Sequence, residues 1–316
     1  MRYLILFLVA VGVYAEPTHR LFVTNEAADT VTVIDSRTNE VVKTINIGDR
    51  PRGIGLSPDR SHVYVAIGNE NAIAVVDTNS LEIVKKIPAG SDPEAFAVHS
   101  DGTIYLSNED EGLATALDPE TGKILAQIEV GIEPEGVGIS PDGKQVLVTS
   151  ESTNMVHIIS AAEKKVVHNV LVGARPREVA FSPDGKYFWV TSEVAGEVAK
   201  VDRAANKVVA VNNRLRREIN RRVKPKGIRL SPDNKRLYIS LGRGNAIAVL
   251  NPDTLALEGS VEVGLRVWGL ALSKDGTRLY ATNGLDSNLS VIDTVALKEI
   301  AKIPTGEMPW GVVLDD

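Results

Sequence analysis

The sequence predicts an all-β protein: a seven-bladed β-propeller made of four-stranded antiparallel blades. A short Pro-x-Gly-like motif recurs seven times, at spacings of 42, 41, 42, 49, 42 and 42 residues. Each repeat holds four β-rich runs separated by turn residues, and the first and last repeats are incomplete in complementary ways. A period near 42 residues is typical of arrays of small repeated units. The copies are Pro51-Arg52-Gly53, Asp92-Pro93-Glu94, Glu133-Pro134-Glu135-Gly136, Arg175-Pro176-Arg177, Pro225-Lys226-Gly227, Val267-Trp268-Gly269 and Pro309-Trp310-Gly311.

Residues 51–89 illustrate one blade. Pro51–Leu56 alternates like a strand and leads into the turn Ser57-Pro58-Asp59, where proline presets φ. Val63–Ala66 and Ile73–Val76 are rich in β-formers, and Leu81–Ile87 supplies the fourth strand. A lone blade leaves both faces open, so the blades must pack around a common axis.

Two columns recur through the repeats and carry a family resemblance. The turn column reads Ser57-Pro58-Asp59, His99-Ser100-Asp101, Ser140-Pro141-Asp142, Ser182-Pro183-Asp184, Ser231-Pro232-Asp233 and Ser273-Lys274-Asp275. The second-strand column includes Phe22-Val23-Thr24-Asn25, Tyr105-Leu106-Ser107-Asn108, Leu147-Val148-Thr149-Ser150, Trp189-Val190-Thr191-Ser192 and Tyr280-Ala281-Thr282-Asn283. From about His19 to the end, the chain resembles the YVTN family of β-propeller repeats.

The two ends of the chain predict how the ring closes. The first repeat begins with a second strand, Leu21–Asn25, and the last supplies only a first strand, Pro309–Leu314. Together they complete one blade, which removes the open sheet edges that favour aggregation. We therefore expect one domain over residues 16–316, and a monomer.

The first fifteen residues have the layout of a secretory signal peptide. Arg2 precedes an apolar run from Tyr3 to Tyr14 that is short for a membrane span, and Ala15 suits cleavage. An uncleaved anchor is the alternative. The chain has no cysteine, so neither disulfides nor thiolate metal sites are available. An exported chain without disulfides fits the periplasm, with no transmembrane segment left after cleavage.

Charge excludes one class of partner. The net charge is −6 and the pI is near 5.5. Nucleic acid is not an expected partner, because phosphate binding needs a basic surface.

Differences between repeats point to one face of the ring. The Pro-x-Gly residues and the residues that follow the second strands meet on this face, at the mouth of the central channel. Around the ring, the x position reads Trp268, Trp310, Arg52, Glu94, Glu135, Arg177 and Lys226. The position after the second strand reads Glu26, Gly68, Glu109, Glu151, Glu193, Gly242 and Gly284. The pattern predicts an acidic arc beside a basic arc and two tryptophans.

Two interpretations of this rim stay open. In the first, the charges simply pair across blades while the tryptophans plug the channel, and isolated exposed pairs add only about 0–1 kcal/mol each. Alternatively, the rim binds a small anionic ligand through aromatic and cationic side chains. The candidate ligand-binding residues are Arg52, Arg177, Lys226, Arg266, Trp268 and Trp310. A hard cation such as Ca²⁺ would instead take carboxylate ligands. The candidate metal ligands are Glu94, Glu109, Glu135, Glu151 and Glu193.

The 49-residue spacing marks an insertion between Val211 and Val223. It contains five arginines: Arg214, Arg216, Arg217, Arg221 and Arg222. The insertion is read either as a solvated charged loop or as a site for docking an acidic protein, since clustered charge accelerates association.

Sequence motifs that are specific to single blades extend the resemblance to one subfamily. They include Arg50-Pro51-Arg52-Gly53, Thr149-Ser150-Glu151-Ser152-Thr153-Asn154-Met155, Pro225-Lys226-Gly227-Ile228-Arg229-Leu230 and Arg266-Val267-Trp268. In these motifs the chain resembles the periplasmic seven-bladed propellers whose genes lie beside those for pyrroloquinoline quinone (PQQ)-dependent alcohol oxidation. The resemblance implies an accessory role in a PQQ pathway, and it identifies no ligand. The interpretation that we favour is a non-catalytic periplasmic protein that serves a dehydrogenase, a cytochrome or a transporter component, and PQQ and Ca²⁺ are its candidate ligands. The Arg-rich insertion departs from that pattern.

An enzyme is the second class of function, because seven-bladed propellers include lactonases. Hydrolysis needs nucleophilic or metal-binding groups that converge on one rim. The rim has carboxylates but no histidine partner and no Ser-His-Asp grouping. We therefore favour the binding protein and keep a lactonase-type hydrolase as the alternative.

Overall fold

The computed structural model describes residues 16–316, so the predicted signal peptide of residues 1–15 lies outside the described residues. The described chain forms seven four-stranded antiparallel sheets arranged as a ring. The predicted seven-bladed propeller is confirmed.

Blade 1 combines the two ends of the chain. Its strands are β1 (Arg20–Asn25), β2 (Thr30–Asp35), β3 (Glu40–Asn46) and the closing strand β28 (Pro309–Asp315). The sheet order is β28-β1-β2-β3, with Leu21 opposite Leu314 and Phe22 opposite Val313. Asp315 reinforces the closure by accepting bonds from the backbone N–H and the hydroxyl of Thr18, at 2.7 and 2.6 Å. The predicted pairing of the termini is confirmed.

Blades 2 to 5 follow in chain order. The strands of blade 2 are β4 (Pro51–Leu56), β5 (His62–Ile67), β6 (Ala72–Asp77) and β7 (Ile83–Pro88). Those of blade 3 are β8 (Pro93–Val98), β9 (Ile104–Asn108), β10 (Leu113–Asp118) and β11 (Lys123–Glu129). Those of blade 4 are β12 (Pro134–Ile139), β13 (Gln145–Ser150), β14 (Met155–Ser160) and β15 (Lys165–Leu171). Those of blade 5 are β16 (Pro176–Phe181), β17 (Tyr187–Ser192), β18 (Glu197–Asp202) and β19 (Lys207–Asn212). A short 3₁₀ helix, Gly68–Glu70, follows β5.

Blades 6 and 7 complete the ring. The strands of blade 6 are β20 (Ile228–Leu230), β21 (Leu237–Ser240), β22 (Ala246–Leu250) and β23 (Leu257–Glu262). Those of blade 7 are β24 (Val267–Leu272), β25 (Arg278–Asn283), β26 (Asn288–Asp293) and β27 (Lys298–Pro304). The insertion before blade 6 contains one short helix, α1 (Leu215–Ile219). Within residues 16–316, no helix has the length and apolar character needed to cross a membrane.

The core lies between neighbouring blades. Phe22 and Val33 of blade 1 pack against Val63 and Val76 of blade 2, and equivalent apolar clusters fill the other junctions. Because the middle strands of each blade are buried on both faces, they read as continuous apolar runs. The outermost strands are mostly exposed, with one buried residue near the end of the strand.

A column of hydroxyls hydrogen-bonds six of the seven blades to the next blade near the axis. Thr149 donates to the carbonyl of Arg177 in the following blade at 3.0 Å and accepts from the Gly136 N–H of its own blade at 2.8 Å. The same pair of bonds is made by Thr24, Ser107, Thr191, Ser240 and Thr282. In blade 2 this position is Ala66, which has no hydroxyl. We call each such pair of hydrogen bonds a hydroxyl latch. The six latches hold the x residues at a similar level along the channel axis.

Candidate functional site

The x side chains form the rim of the channel, and six of the seven innermost strands carry a bulge at their start, next to the x residue. In blade 2, for example, the pairing between β4 and β5 shifts between Pro51 and Ile54. At Gly53, an added Cβ would lie 2.6 Å from the Glu94 carbonyl oxygen, so the next blade closes directly on this motif. The predicted x residues and the residues after the second strands therefore come together on one face.

Most of the rim charges belong to two ion-pair networks, one around Arg50 and Arg52 and one around Arg177, which together we call the paired arc. Its members are Glu26, Arg50, Arg52, Asp92, Glu94, Glu109, Glu135, Glu151, Arg175, Arg177 and Glu193. Arg52 binds Glu26 at 2.7 Å and also pairs with Glu94. Arg50 binds Glu94 at 2.6 Å, pairs with Asp92, and lies 3.7 Å from Glu109.

The second half of the paired arc centres on a buried arginine. Arg177 is only 6% exposed, binds Glu135 at 2.8 Å, pairs with Glu151 and lies 3.7 Å from Glu193. Arg175 binds Glu151 at 2.5 Å from the rim. The predicted acidic and basic arcs are therefore bonded to each other where they meet.

The two tryptophans lie side by side at the other end of the rim, where we define the tryptophan cluster as Lys226, Arg266, Trp268 and Trp310. The two ring centroids are 5.9 Å apart, with 36° between the planes. The ammonium of Lys226 lies 3.7 Å from the centroid of Trp268, and the guanidinium of Arg266 lies 4.9 Å from it. Arg177, at 5.4 Å, links this cluster to the paired arc. Such contacts contribute about 0.5–2 kcal/mol each, depending on exposure.

Arg266 is the cation of this cluster that has no carboxylate partner. Among residues 16–316, its guanidinium lies within ion-pair distance of none of the carboxylates, whereas Lys226 binds Glu193 at 2.9 Å. Burial lowers the pKa of Arg266, and the positive charge of Arg243 lowers it further. An added anion would relieve this repulsion.

Burial also sets the charge of Lys226. It lowers the pKa of Lys226 to about 7, with help from the positive charge of Arg177 and against the effect of Glu193. The pKa of Glu193 is lowered, because Lys226 and Arg177 together outweigh the opposing effect of its own burial. Lys226 is therefore able to pair with Glu193 as a cation mainly below about pH 7.

Glu94 has the most strongly shifted carboxyl of the rim. Its burial raises the pKa well above the ordinary value; the charge of Glu135 adds to the rise, and Arg52 opposes it. For Arg52, burial acts to lower the pKa, but Glu94 and Glu26 outweigh burial and the pKa is raised. These groups depend on each other for their charge.

The structure brings together some of the predicted metal ligands. Glu94 and Glu109 join Asp92, with carboxylate oxygens within 4.8 Å of one another. The Arg50 guanidinium contacts all three. Glu135, Glu151 and Glu193 instead lie around Arg177. A hard cation would thus have to compete with arginine at each of these carboxylates.

A small cavity of about 130 Å³ lies in the channel behind the rim. Its lining includes Glu135, Arg177, Lys226, Trp268 and Trp310. The indole N–H of Trp310 is buried and has no hydrogen-bond acceptor among the described residues. The cavity is smaller than the roughly 300–1,000 Å³ typical of small-molecule pockets.

The histidines lie away from this rim. His157 is buried in β14, where it accepts from the Gly131 N–H at 2.9 Å and contacts the Asn169 side chain at 2.7 Å. Burial lowers its pKa. His62 and His99 belong to the turns of the opposite face. Among the described residues, the rim carboxylates therefore have no histidine partner.

The insertion is more ordered than a solvated loop. Leu215 of α1 is fully buried in an apolar cluster with Val223 and Leu241, and Ile219 packs against it. The arginines remain at the surface, and Arg221 pairs with Glu262. Blade 6 is altered as well: β20 starts three residues after Pro225, later in its motif than the other innermost strands.

Arg50 and Asp92 are members of the paired arc that belong to neither predicted rim column and were not among the predicted site residues. Both immediately precede the proline of the motif and adopt left-handed backbone conformations, with φ of 61° and 44°. The residue before the proline was the available signal. Its left-handed backbone recurs at Glu133, Arg175, Arg266 and Met308.

Solved structures of similar shape cover nearly all of this chain. Hydrazine synthase from Kuenenia stuttgartiensis superimposes with a TM-score of 0.78 at 23% identity, covering 91% of this chain and 99% of that one. A functionally unknown protein from Desulfotomaculum acetoxidans DSM 771 gives 0.81 at 17% identity, covering 93% and 98%. Dihydro-heme d1 dehydrogenase NirN in complex with DHE gives 0.69 at 16% identity, covering 95% and 76%. These similarities show the fold alone.

Sequence comparison adds one short match to a known protein and one match to a family. A 56-residue stretch is 41% identical to the uncharacterized protein YwhL of Bacillus subtilis (strain 168), and it covers 18% of this chain but only 12% of that protein. Residues 133–308, more than half of the chain, match the family described as "Lactonase, 7-bladed beta-propeller". The chain belongs to the seven-bladed β-propeller lactonase family.

Proposed function

We propose that this chain is a non-catalytic periplasmic binding protein that serves PQQ-dependent alcohol oxidation and holds an anionic ligand on its Pro-x-Gly face. The observation that carries the proposal is the tryptophan cluster. Two neighbouring indole rings and the cations of Lys226 and Arg266 meet at the channel mouth, and Arg266 has no carboxylate partner among the described residues.

PQQ suits this cluster chemically because it is planar and carries several carboxylates. Indole rings offer stacking surfaces, and a guanidinium binds carboxylates through two parallel hydrogen bonds. The channel cavity of about 130 Å³ is small for such a molecule. The ligand would therefore lie across the mouth, over Trp268 and Trp310, with a carboxylate near Arg266. The buried indole N–H of Trp310 offers one further donor.

A Ca²⁺ ion is the second ligand in this proposal. It would take oxygens from Asp92, Glu94 and Glu109, which are close enough to share one ion. Arg50 would have to leave the cluster first. We therefore expect Ca²⁺ to bind more weakly than PQQ unless the ligand itself supplies oxygens to the ion.

A lactonase-type hydrolase is the second candidate, favoured by the family match over residues 133–308. Glu94, with its raised pKa, would be the acid–base group of such an enzyme. Against this candidate, the carboxyl of Glu94 is already bonded to Arg50 and Arg52.

Calorimetric titration with PQQ, Ca²⁺ and both together tests the proposal. We expect heat with PQQ, a roughly tenfold or larger loss of affinity in Arg266→Gln, and no change in Arg37→Gln, an exposed arginine on the opposite face. No heat in any titration would remove the small-ligand proposal. Turnover of a simple δ-lactone that is lost in Glu94→Gln would favour the hydrolase instead.

Export is part of the same proposal. Processing after Ala15 would release a periplasmic chain that starts near Glu16. Intact-mass measurement of protein purified from its host tests this, and a full-length product held in the membrane fraction would contradict it.

A further inference from the structure

A second surface on the same face lies beside the insertion, outside the tryptophan cluster. It is an open groove of about 760 Å³ whose lining includes Val194, Ala195, Arg216, Arg222, Val223 and Lys224. We call it the arginine groove. Its position is fixed, because Leu215 and Val223 anchor the two ends of the insertion in the core.

The groove cations differ from those of the paired arc. Among residues 16–316, Arg216, Arg222 and Lys224 lie within ion-pair distance of none of the carboxylates, and the same holds for Arg243 in the adjoining loop. Three acidic groups nearby are already paired: Glu262 with Arg221, which also lines the groove, Glu218 with Arg214 at 3.6 Å, and Glu193 with Lys226. Uncompensated positive charge is thus concentrated here, on a chain whose net charge is −6.

An exposed apolar side chain borders these cations. Val194, in the wall of the groove, is 56% exposed, and Ala195 lines the groove beside it. The groove therefore combines positive charge with apolar contact area, as protein-binding surfaces do.

We propose that the arginine groove binds an acidic segment of a partner protein, one in which carboxylates alternate with apolar side chains. The carboxylates would contact Arg216, Arg222 and Lys224, while an apolar side chain packs on Val194. The groove is open and its charges are spread along it, which suits an extended chain. The negative charge of the rest of the molecule disfavours nucleic acid. This inference stands apart from the proposed PQQ site and does not depend on it.

Fluorescence anisotropy with a labelled peptide of alternating Glu and Leu, at low salt, tests the inference on the purified protein. The test variant is Arg216→Gln/Arg222→Gln/Lys224→Gln. The matched control, Lys144→Gln/Lys235→Gln/Lys274→Gln, removes the same charge from exposed turns of the opposite face. We expect wild type and control to bind alike, and the test variant to bind at least about tenfold more weakly. Binding should also weaken steeply with added salt.

A photo-crosslinkable group in place of one peptide Leu gives a readout on the wild-type protein, independent of any variant's folding. Mass spectrometry should place the crosslink in residues 194–196 or 213–224. The inference is overturned if wild type does not bind, if test and control variants bind equally, or if crosslinks map elsewhere. A Gln-Leu peptide that binds as well as the Glu-Leu peptide would also overturn it, as would tighter binding by single-stranded oligothymidylate.

Discussion

Arg50 and Arg266 occupy equivalent positions in blades 2 and 7, immediately before the rim motif, and both have left-handed backbones, with φ of 61° and 56°. Their surroundings differ. Arg50 contacts the carboxylates of Asp92, Glu94 and Glu109, whereas Arg266 faces the ring of Trp268 and has no carboxylate partner among the described residues. The repeat sets the backbone position of the side chain. The carboxylates that the neighbouring blade offers determine whether the side chain forms ion pairs that stabilise the ring or remains available to a ligand.

The same contrast divides the whole rim. In the paired arc, cations and carboxylates satisfy one another across blade junctions. Around the tryptophan cluster and the arginine groove, cations exceed carboxylates. Breaking a buried pair leaves an uncompensated charge, whereas removing an exposed, unpaired cation has little effect on stability. The two regions should therefore respond differently to matched substitutions.

The largest effect is expected at Arg177, the buried centre of the paired arc. Arg177→Met would leave Glu135 buried without its partner and Glu151 paired with Arg175 alone, at a cost of about 3–5 kcal/mol in unfolding free energy. Arg217→Met, on the exposed surface of α1, should change stability by no more than about 0.5 kcal/mol. Urea denaturation of both variants measures the difference, and equal losses would refute the division of the rim.

The hydroxyl latches run through both regions, so they test the shared scaffold apart from the rim charges. Thr149→Val removes the donor to the Arg177 carbonyl and the acceptor of the Gly136 N–H, and should cost about 1–3 kcal/mol. Ala66→Thr restores the missing latch in blade 2 and should add about 1 kcal/mol. Thermal melts of the two variants should move in opposite directions; a loss of stability in Ala66→Thr would show that blade 2 has no room for the hydroxyl.

Lys226 joins the two regions, and its pKa of about 7 in the folded chain gives a test by pH. Between about pH 7 and its ordinary pKa near 10.5, the unfolded chain binds more protons at this site than the folded chain. Lys226 should therefore make the protein more stable as pH rises through this window. From pH 6.5 to 9, wild type should gain about 2–3 kcal/mol relative to Lys226→Met. Parallel pH profiles for the two proteins would rule out a lowered pKa at Lys226.

Much of the fold could be predicted from the sequence, because each blade repeats the same pattern of turns and strands. The Ser-Pro-Asp turns, the apolar middle strands and the incomplete first and last repeats together specify a closed ring of seven. The position of each x residue on the rim followed for the same reason, since a 42-residue period places equivalent residues at one height.

The pairing of the rim charges did not follow, because it depends on side-chain conformations across blade junctions. Arg50 lies outside the x column, yet its long side chain reaches the next blade. The insertion was difficult for a different reason. Its arginines are typical of a solvated loop, and Leu215 is the single buried residue of the short helix α1 that they surround.

The matched pair Arg50→Gln and Arg266→Gln tests the central claim most directly, because both changes remove one guanidinium from the same repeat position. The measurement is the unfolding free energy from urea denaturation at neutral pH. Arg50→Gln should lose about 1–3 kcal/mol, since three carboxylates lose a shared partner, while Arg266→Gln should stay within about 1 kcal/mol of wild type. Equal losses, or a larger loss in Arg266→Gln, would contradict the assignment of the paired arc to stability and of the tryptophan cluster to binding.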